Sequence, residues 1–167
     1  IDEGIYVLLD KFTIRNLEMI HPLTLGANTL LSILDHTESP MGARLMRRWI
    51  ALPLKDINAI NERLNVVEYL IQEHDLRHKI HDHIKKVGDI ERLISKVATA
   101  RVNPRELKQI QLSLYAIEGI KNTCSIKGNK EFGKISKNLN PCRELADTLS
   151  KQLKDEPPLL VNKGNII

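Results

Sequence analysis

Helix-period stripes, each opened by a capping residue, constrain this chain more than any other feature. Asn103 stands at an N-cap, Pro104 at the first helical position and Glu106 three residues after the cap. This is a reciprocal capping box with a pre-set φ. Leu107, Ile110, Leu114 and Ile117 follow at three- and four-residue steps, one face of a helix. Ser39 before Pro40 predicts another helix, ending near Pro53, with Met41, Leu45, Met46 and Trp49 on a shared face. Asp56 opens a third, in which Ile57, Ile60, Leu64, Val67 and Ile71 form a long seam expected to lie against a neighbouring helix. Asp89 caps a fourth, presenting Ile90, Leu93, Ile94 and Val97. A shorter helix is expected around Leu145, Leu149 and Leu153, stopping before Pro157-Pro158.

The first 38 residues are less regular. Tyr6 to Leu9 and Ile14 to Ile20 suggest a small strand pair, and Thr29 to Leu34 a short helix. Asn122 to Asn140 holds Gly128, Gly133 and several lysines with little periodicity, and reads as a loop with at most one helical turn. An aromatic content of 4% disfavours a β-sandwich and any base-stacking sheet. The expected fold is mainly all-α, an irregular helical bundle with that N-terminal strand pair, in one domain over residues 1–167. Cys124 and Cys142 have no metal or redox spacing and are expected to be plain thiols in a reducing compartment. No stretch is apolar enough for a membrane span, and an opening of Ile1-Asp2-Glu3 reads as an excerpt of a longer polypeptide.

Candidate chemistry is sparse. Residues Gly128 to Ile135 match G-x-x-x-x-G-K-[ST] except at the last position, where Ile135 has no hydroxyl to hold Mg²⁺. The stretch before it is no core strand, so a basic surface loop is the better reading. His74, His78 and His81 would line one helix face, near Asp75, Asp82 and His83. Without a H-E-x-x-H glutamate, a solvated histidine face is favoured over a metal site. A net charge of +4 permits a nucleic-acid partner without demanding one. Arg44, Arg47 and Arg48, and Lys121, Lys127, Lys130, Lys134 and Lys137, are the basic clusters that could touch phosphate. Of these Arg47, Arg48, Lys130 and Lys134 are the weak DNA-contact candidates. Catalytic, cofactor and metal residues are not expected.

The order of several motifs is more specific. Leu9-Asp10-Lys11-Phe12-Thr13-Ile14-Arg15-Asn16-Leu17-Glu18 is followed by Thr29 to Asp35, and then by Ser39-Pro40-Met41-Gly42-Ala43-Arg44-Leu45-Met46-Arg47-Arg48-Trp49-Ile50. Gly88-Asp89-Ile90-Glu91-Arg92-Leu93, Asn103-Pro104-Arg105-Glu106-Leu107 and Pro157-Pro158-Leu159 continue the series. Together they resemble the core or lever domain of the MutS family of DNA mismatch-recognition ATPases, over essentially the whole chain. Ala43, where the family often has Ser, is a small departure.

The resemblance implies a structural lever that couples ATP binding in one domain to DNA clamping in another, and that is itself no enzyme. The DNA-dependent ATPase, with its ATP and Mg²⁺, the DNA-gripping clamp and the mismatch-reading domain would lie outside this segment. The implied partners of the parent are mismatched duplex DNA, a second MutS copy and MutL, in the cytoplasm. A paralogue acting on recombination intermediates and an autonomous basic helical module that binds DNA are the rival readings. The signature residues carried over are Arg15, Asn16, Glu18, Gly42, Arg44, Trp49, Asp89, Glu91 and Arg92, all in structural roles. Gly42 suggests close approach of another backbone, Trp49 a core anchor, and Asp89, Glu91 and Arg92 a cap with a charge pair across helices.

Overall fold

A computed structural model describes residues 4–125 and 130–159. They form helices without a named strand, the expected all-α class, in two compact units, Ile1–Glu68 and Tyr69–Ile167.

In the first unit the caps expected at Ser39 and Asp56 form, and Asp10 and Thr29 supply two that were not expected. Asp10 Oδ1 accepts the Phe12 and Thr13 N–H groups at 2.7 and 2.8 Å and starts α1 (Lys11–Asn16). Thr29 and Ser32 close a capping box on α2 (Leu30–Leu34). Ser39 Oγ accepts Gly42 N–H at 3.1 Å and Pro40 opens α3 (Pro40–Ala51). Asp56 Oδ1 accepts Ala59 N–H at 2.8 Å at the head of α4 (Ile57–Gln72).

The expected strand pair does not form. Asp10 draws Thr13 and Ile14 into α1, leaving Ile14 to Ile20 unable to pair, and Tyr6 instead makes one antiparallel bridge to Leu54. Val7 N–H donates to the Pro53 carbonyl at 2.8 Å and Lys55 N–H to that of Ile5 at 3.0 Å. The α4 stripe has the predicted period without the predicted cover: Ile57, Leu64, Val67 and Ile71 are all exposed.

The second unit is organised around α7 (Pro104–Cys124), which packs against α5 (His74–Ile84), α6 (Ile90–Ala98), α8 (Lys130–Asn138) and α9 (Arg143–Gln152). Its core joins Leu93 of α6, Ile110 and Leu114 of α7 and Ala146 of α9, with Leu107, Tyr115, Ile117 and Leu149 packed around them. The capping box is complete: Asn103 Oδ1 accepts Glu106 N–H and Glu106 Oε2 accepts Asn103 N–H, each at 3.0 Å. Where α5 packs against α7, Gly119 leaves room for the His83 imidazole, with which a Cβ there would clash. Among the described residues no helix is long and apolar enough to cross a membrane.

The expected loop over 122–140 is corrected too. The segment contains the end of α7 and all of α8, while residues 126–129 lie outside the described part. Phe132 and Ser136 bury one side of α8, the Phe132 ring 5.8 Å from that of Tyr69. Ser136 Oγ donates to the Lys121 carbonyl at 3.1 Å. These partners are distant in sequence, so local periodicity did not reveal the helix.

Candidate functional site

The signature residues lie on or beside α1, α3 and α6. Arg15 and Asn16 lie at the end of α1, both exposed. Glu18 follows with a left-handed φ of 46° and its carboxylate accepts Leu23 N–H at 2.6 Å. Its carbonyl accepts Leu30 N–H at 3.1 Å, tying the loop to the start of α2. Arg44 sits exposed on α3.

Two expected roles differ. A Cβ on Gly42 would meet Ser39 Oγ at 3.1 Å and Thr37 Cβ at 3.2 Å, so the crowding comes from side chains of the preceding turn, not from another backbone. Trp49 is 40% exposed and therefore no core anchor. Arg63 of α4 lies over its ring, 3.8 Å from the centroid, a cation–π contact between α3 and α4. The amphipathic indole gains from covering its face with a cation while keeping an edge in water.

Asp89 is the cap of α6, accepting Arg92 N–H at 3.3 Å. A charge pair across helices joins Lys96 of α6 and Glu106 of α7. One turn beyond Arg92, Lys96 reaches the capping-box carboxylate. Its hydrogen bond, then that of Asn103 N–H, holds the Glu106 carboxyl below the usual glutamate range, and Arg92 adds a weaker attraction.

A second polar joint went unrecognised in the sequence. Arg143 of α9 pairs with Glu118 of α7 and with Asp147 one turn on, at 3.0 Å for Asp147, and its guanidinium stacks 5.2 Å from the Tyr115 ring centroid. Tyr115 Oη donates to Asp147 at 2.9 Å. The Arg143 and Tyr115 hydrogen bonds depress the Asp147 carboxyl, and Asp147 with Glu118 raises the Arg143 guanidinium further. The i, i+4 spacing of Arg143 and Asp147 was the available signal.

The DNA-contact candidates fall in two places. Arg47 and Arg48 are exposed on α3, in the first unit, and Arg47 donates to His21 Nε2 at 2.9 Å. Lys130 and Lys134, in the second unit, are exposed one turn apart on α8. Lys121 is used structurally, donating to the Leu139 carbonyl at 2.8 Å. Lys137 is exposed in the last turn of α8, and Lys127 is outside the described residues.

The phosphate-loop look-alike has no loop where its lysine stands. Gly133, Lys134 and Ile135 are inside α8, and the element before it is helix α7. Gly128 and Asn129 of the motif lie outside the described residues. His74, His78 and His81 do lie on α5, where His74 Nδ1 accepts from Arg77 at 2.9 Å. Among the described residues no group of three or more His, Cys, Asp or Glu is placed to hold a metal ion. Cys124 is buried, which pushes its thiol pKa up, and Cys142 is exposed.

Four helices packed about one central helix define the class of this fold, an all-α bundle. The chain matches the family described as MutS domain III over residues 12–167, and it belongs to that family. It is 48% identical over its whole length to the DNA mismatch repair protein MutS of Bacteroides fragilis, and 45% identical to those of Cytophaga hutchinsonii and Flavobacterium johnsoniae. The chain spans about a fifth of the length of these relatives.

Proposed function

We propose that this chain is the lever segment of a DNA mismatch repair protein, one domain over residues 1–167 that carries motion between nucleotide-binding and DNA-clamping parts and performs no chemistry itself. The observation that carries this reading is the match to MutS domain III over residues 12–167. The relatives' names favour mismatch repair over a paralogue devoted to recombination intermediates.

The packing suits transmission. At 21 residues α7 is roughly 30 Å long, and it is gripped by four other helices. Close-packed helices shift as bodies instead of deforming continuously, so displacement at one end is felt at the other. The Lys96–Glu106 pair and the Arg143 joint add directional contacts at two stations along α7. ATP and Mg²⁺ belong, on this reading, to a part of the protein this chain does not cover, as do the second MutS copy, MutL and the principal contacts to mismatched duplex DNA. The cytoplasm is the compartment that follows from such a role.

The test is ATP-linked release of a labelled duplex carrying one G·T mismatch by the full-length protein. Breaking the joint with Arg143→Ala should leave mismatch affinity within about twofold and slow or uncouple release, since an exposed pair contributes little stability by itself. Unchanged release kinetics with the fold intact would exclude a lever role for this joint. Fluorescence anisotropy on the isolated chain addresses the autonomous DNA-binding reading: tight, salt-resistant duplex binding would favour it.

A further inference from the structure

Two clefts adjoin on α7 within the second unit, sharing Gln109 and Leu112. The smaller, about 260 Å³, lies against the chain's own Asp155, Glu156 and Pro157. Charge holds that segment: Lys108 Nζ meets Asp155 Oδ1 at 3.0 Å, and Arg105 Nε donates to the Pro157 carbonyl at 3.1 Å. This surface of α7 already accepts an acidic, non-helical stretch of polypeptide.

The larger cleft, about 520 Å³, has the same chemistry and no such segment among its lining residues. Leu112, Tyr115 and Ala116 supply an apolar floor from α7, with Ala116 buried and Leu112 47% exposed. His83 comes from the end of α5, and Lys85 and Lys86 from the turn that follows it. Lys85 and Lys86 are exposed and make no ion pair with any described residue. An apolar floor beneath an unpaired basic rim is the anatomy of a polypeptide interface. A DNA duplex would need a longer track of cations and makes no use of a leucine–alanine floor.

We propose that this cleft binds an acidic, extended peptide, its carboxylates on Lys85 and Lys86 and one apolar side chain on Leu112 and Ala116. The bound Asp155–Pro157 segment is the in-chain precedent for that occupant.

The probe is a fluorescein-labelled acidic heptapeptide with one central leucine between glutamates, titrated by anisotropy into the full-length protein. Saturable binding is expected, weakened about tenfold by Lys85→Glu with Lys86→Glu and several-fold by Leu112→Ala. Lys79→Glu, exposed on α5 and outside the cleft, should leave it unchanged. Circular dichroism monitors the fold, and Lys85→Gln with Lys86→Gln replaces the charge reversal if that unfolds. No binding, binding indifferent to both lysine pairs, or equal affinity for a heptapeptide lacking the leucine would overturn the proposal. So would a labelled duplex that depends on Lys85 and Lys86 while the peptide does not.

Discussion

The two units use the same local grammar and arrive at different interiors. Residues 4–68 form four well-capped helix starts around little core: Met19 and Ile50 are the only buried large apolar residues described there, while Leu45, Ile57, Leu64 and Val67 stay exposed. The second unit encloses Leu93, Ile110, Leu114 and Ala146 about one central helix. Capping thus specifies where helices start, and burial, a separate matter, specifies how firmly they are held.

The comparison is broken most directly by truncating equivalent leucines. Leu114 is 7% exposed and Leu64 57% exposed. Leu114→Ala should destabilise by ~2–5 kcal/mol through lost burial and a cavity. Leu64→Ala should stay within about 0.5 kcal/mol, as exposed substitutions do. Hydrogen exchange of α7 and α4 amides in the full-length protein reads each locally; comparable losses at both sites would mean that the α4 stripe is covered there.

Tightness is the next difference to test. Gly119→Ala forces a methyl against the His83 ring and should cost ~1–3 kcal/mol by overpacking. His83→Ala should relieve that cost, so that the double mutant loses less stability than the sum of the two singles in a double-mutant cycle. Gly133, with nothing within 4 Å of its would-be Cβ, should gain or hold stability when changed to Ala. A Gly119→Ala penalty that persists without the imidazole would place the close approach elsewhere.

Caps should be the equaliser. Asn103→Ala in the second unit and Ser39→Ala in the first each remove one side-chain acceptor from a helix N-terminus, and each should cost about 1 kcal/mol. Chemical denaturation with local probes checks this. A cap effect confined to the better-packed unit would show that burial, not the local hydrogen bond, sets its value.

This division also explains what could be read from the sequence. Ser39-Pro40, Asp56, Asp89 and Asn103-Pro104-Glu106 were legible because a cap and its N–H partner lie within three residues of each other. The core of α7 was legible because Ile110 and Leu114 repeat at one turn. Helix α8 was not, since its burial rests on Phe132 against Tyr69 and Ser136 against the end of α7. In α9 the leucine stripe misled in part: Leu149 packs, but Leu145 points out and Ala146 fills the core, a residue too small to register as a stripe. Trp49 looked like an anchor by type alone; its Arg63 partner lies 14 positions on, beyond any local rule. The α5–α7 cleft had only a Lys85-Lys86 pair as its trace, and a dibasic pair acquires meaning only when the fold sets an apolar floor beside it.

The smallest effect separates the units by the origin of a charge. Asp10 and Glu106 are both carboxylates at helix starts with depressed pKa values. For Asp10 the main cause is its own helix, the Thr13 N–H and then the Thr13 hydroxyl; for Glu106 it is first Lys96 of another helix. A depressed folded pKa means stability that is present above the unfolded value and lost as pH falls through the folded one, so both contributions fade in acid. Glu106→Gln keeps a capping acceptor while removing the charge, and should flatten the acid limb of stability without abolishing α7. Salt tells the two apart. Added NaCl screens part of a half-buried ion pair's attraction but leaves a short N–H···O bond nearly untouched. Carbon-detected titration of the two carboxyl groups should therefore show Glu106 moving back toward its ordinary value at high salt while Asp10 holds. If both move alike, the Lys96 contact does not set the Glu106 carboxyl, and α6 is joined to α7 by the Leu93 packing alone.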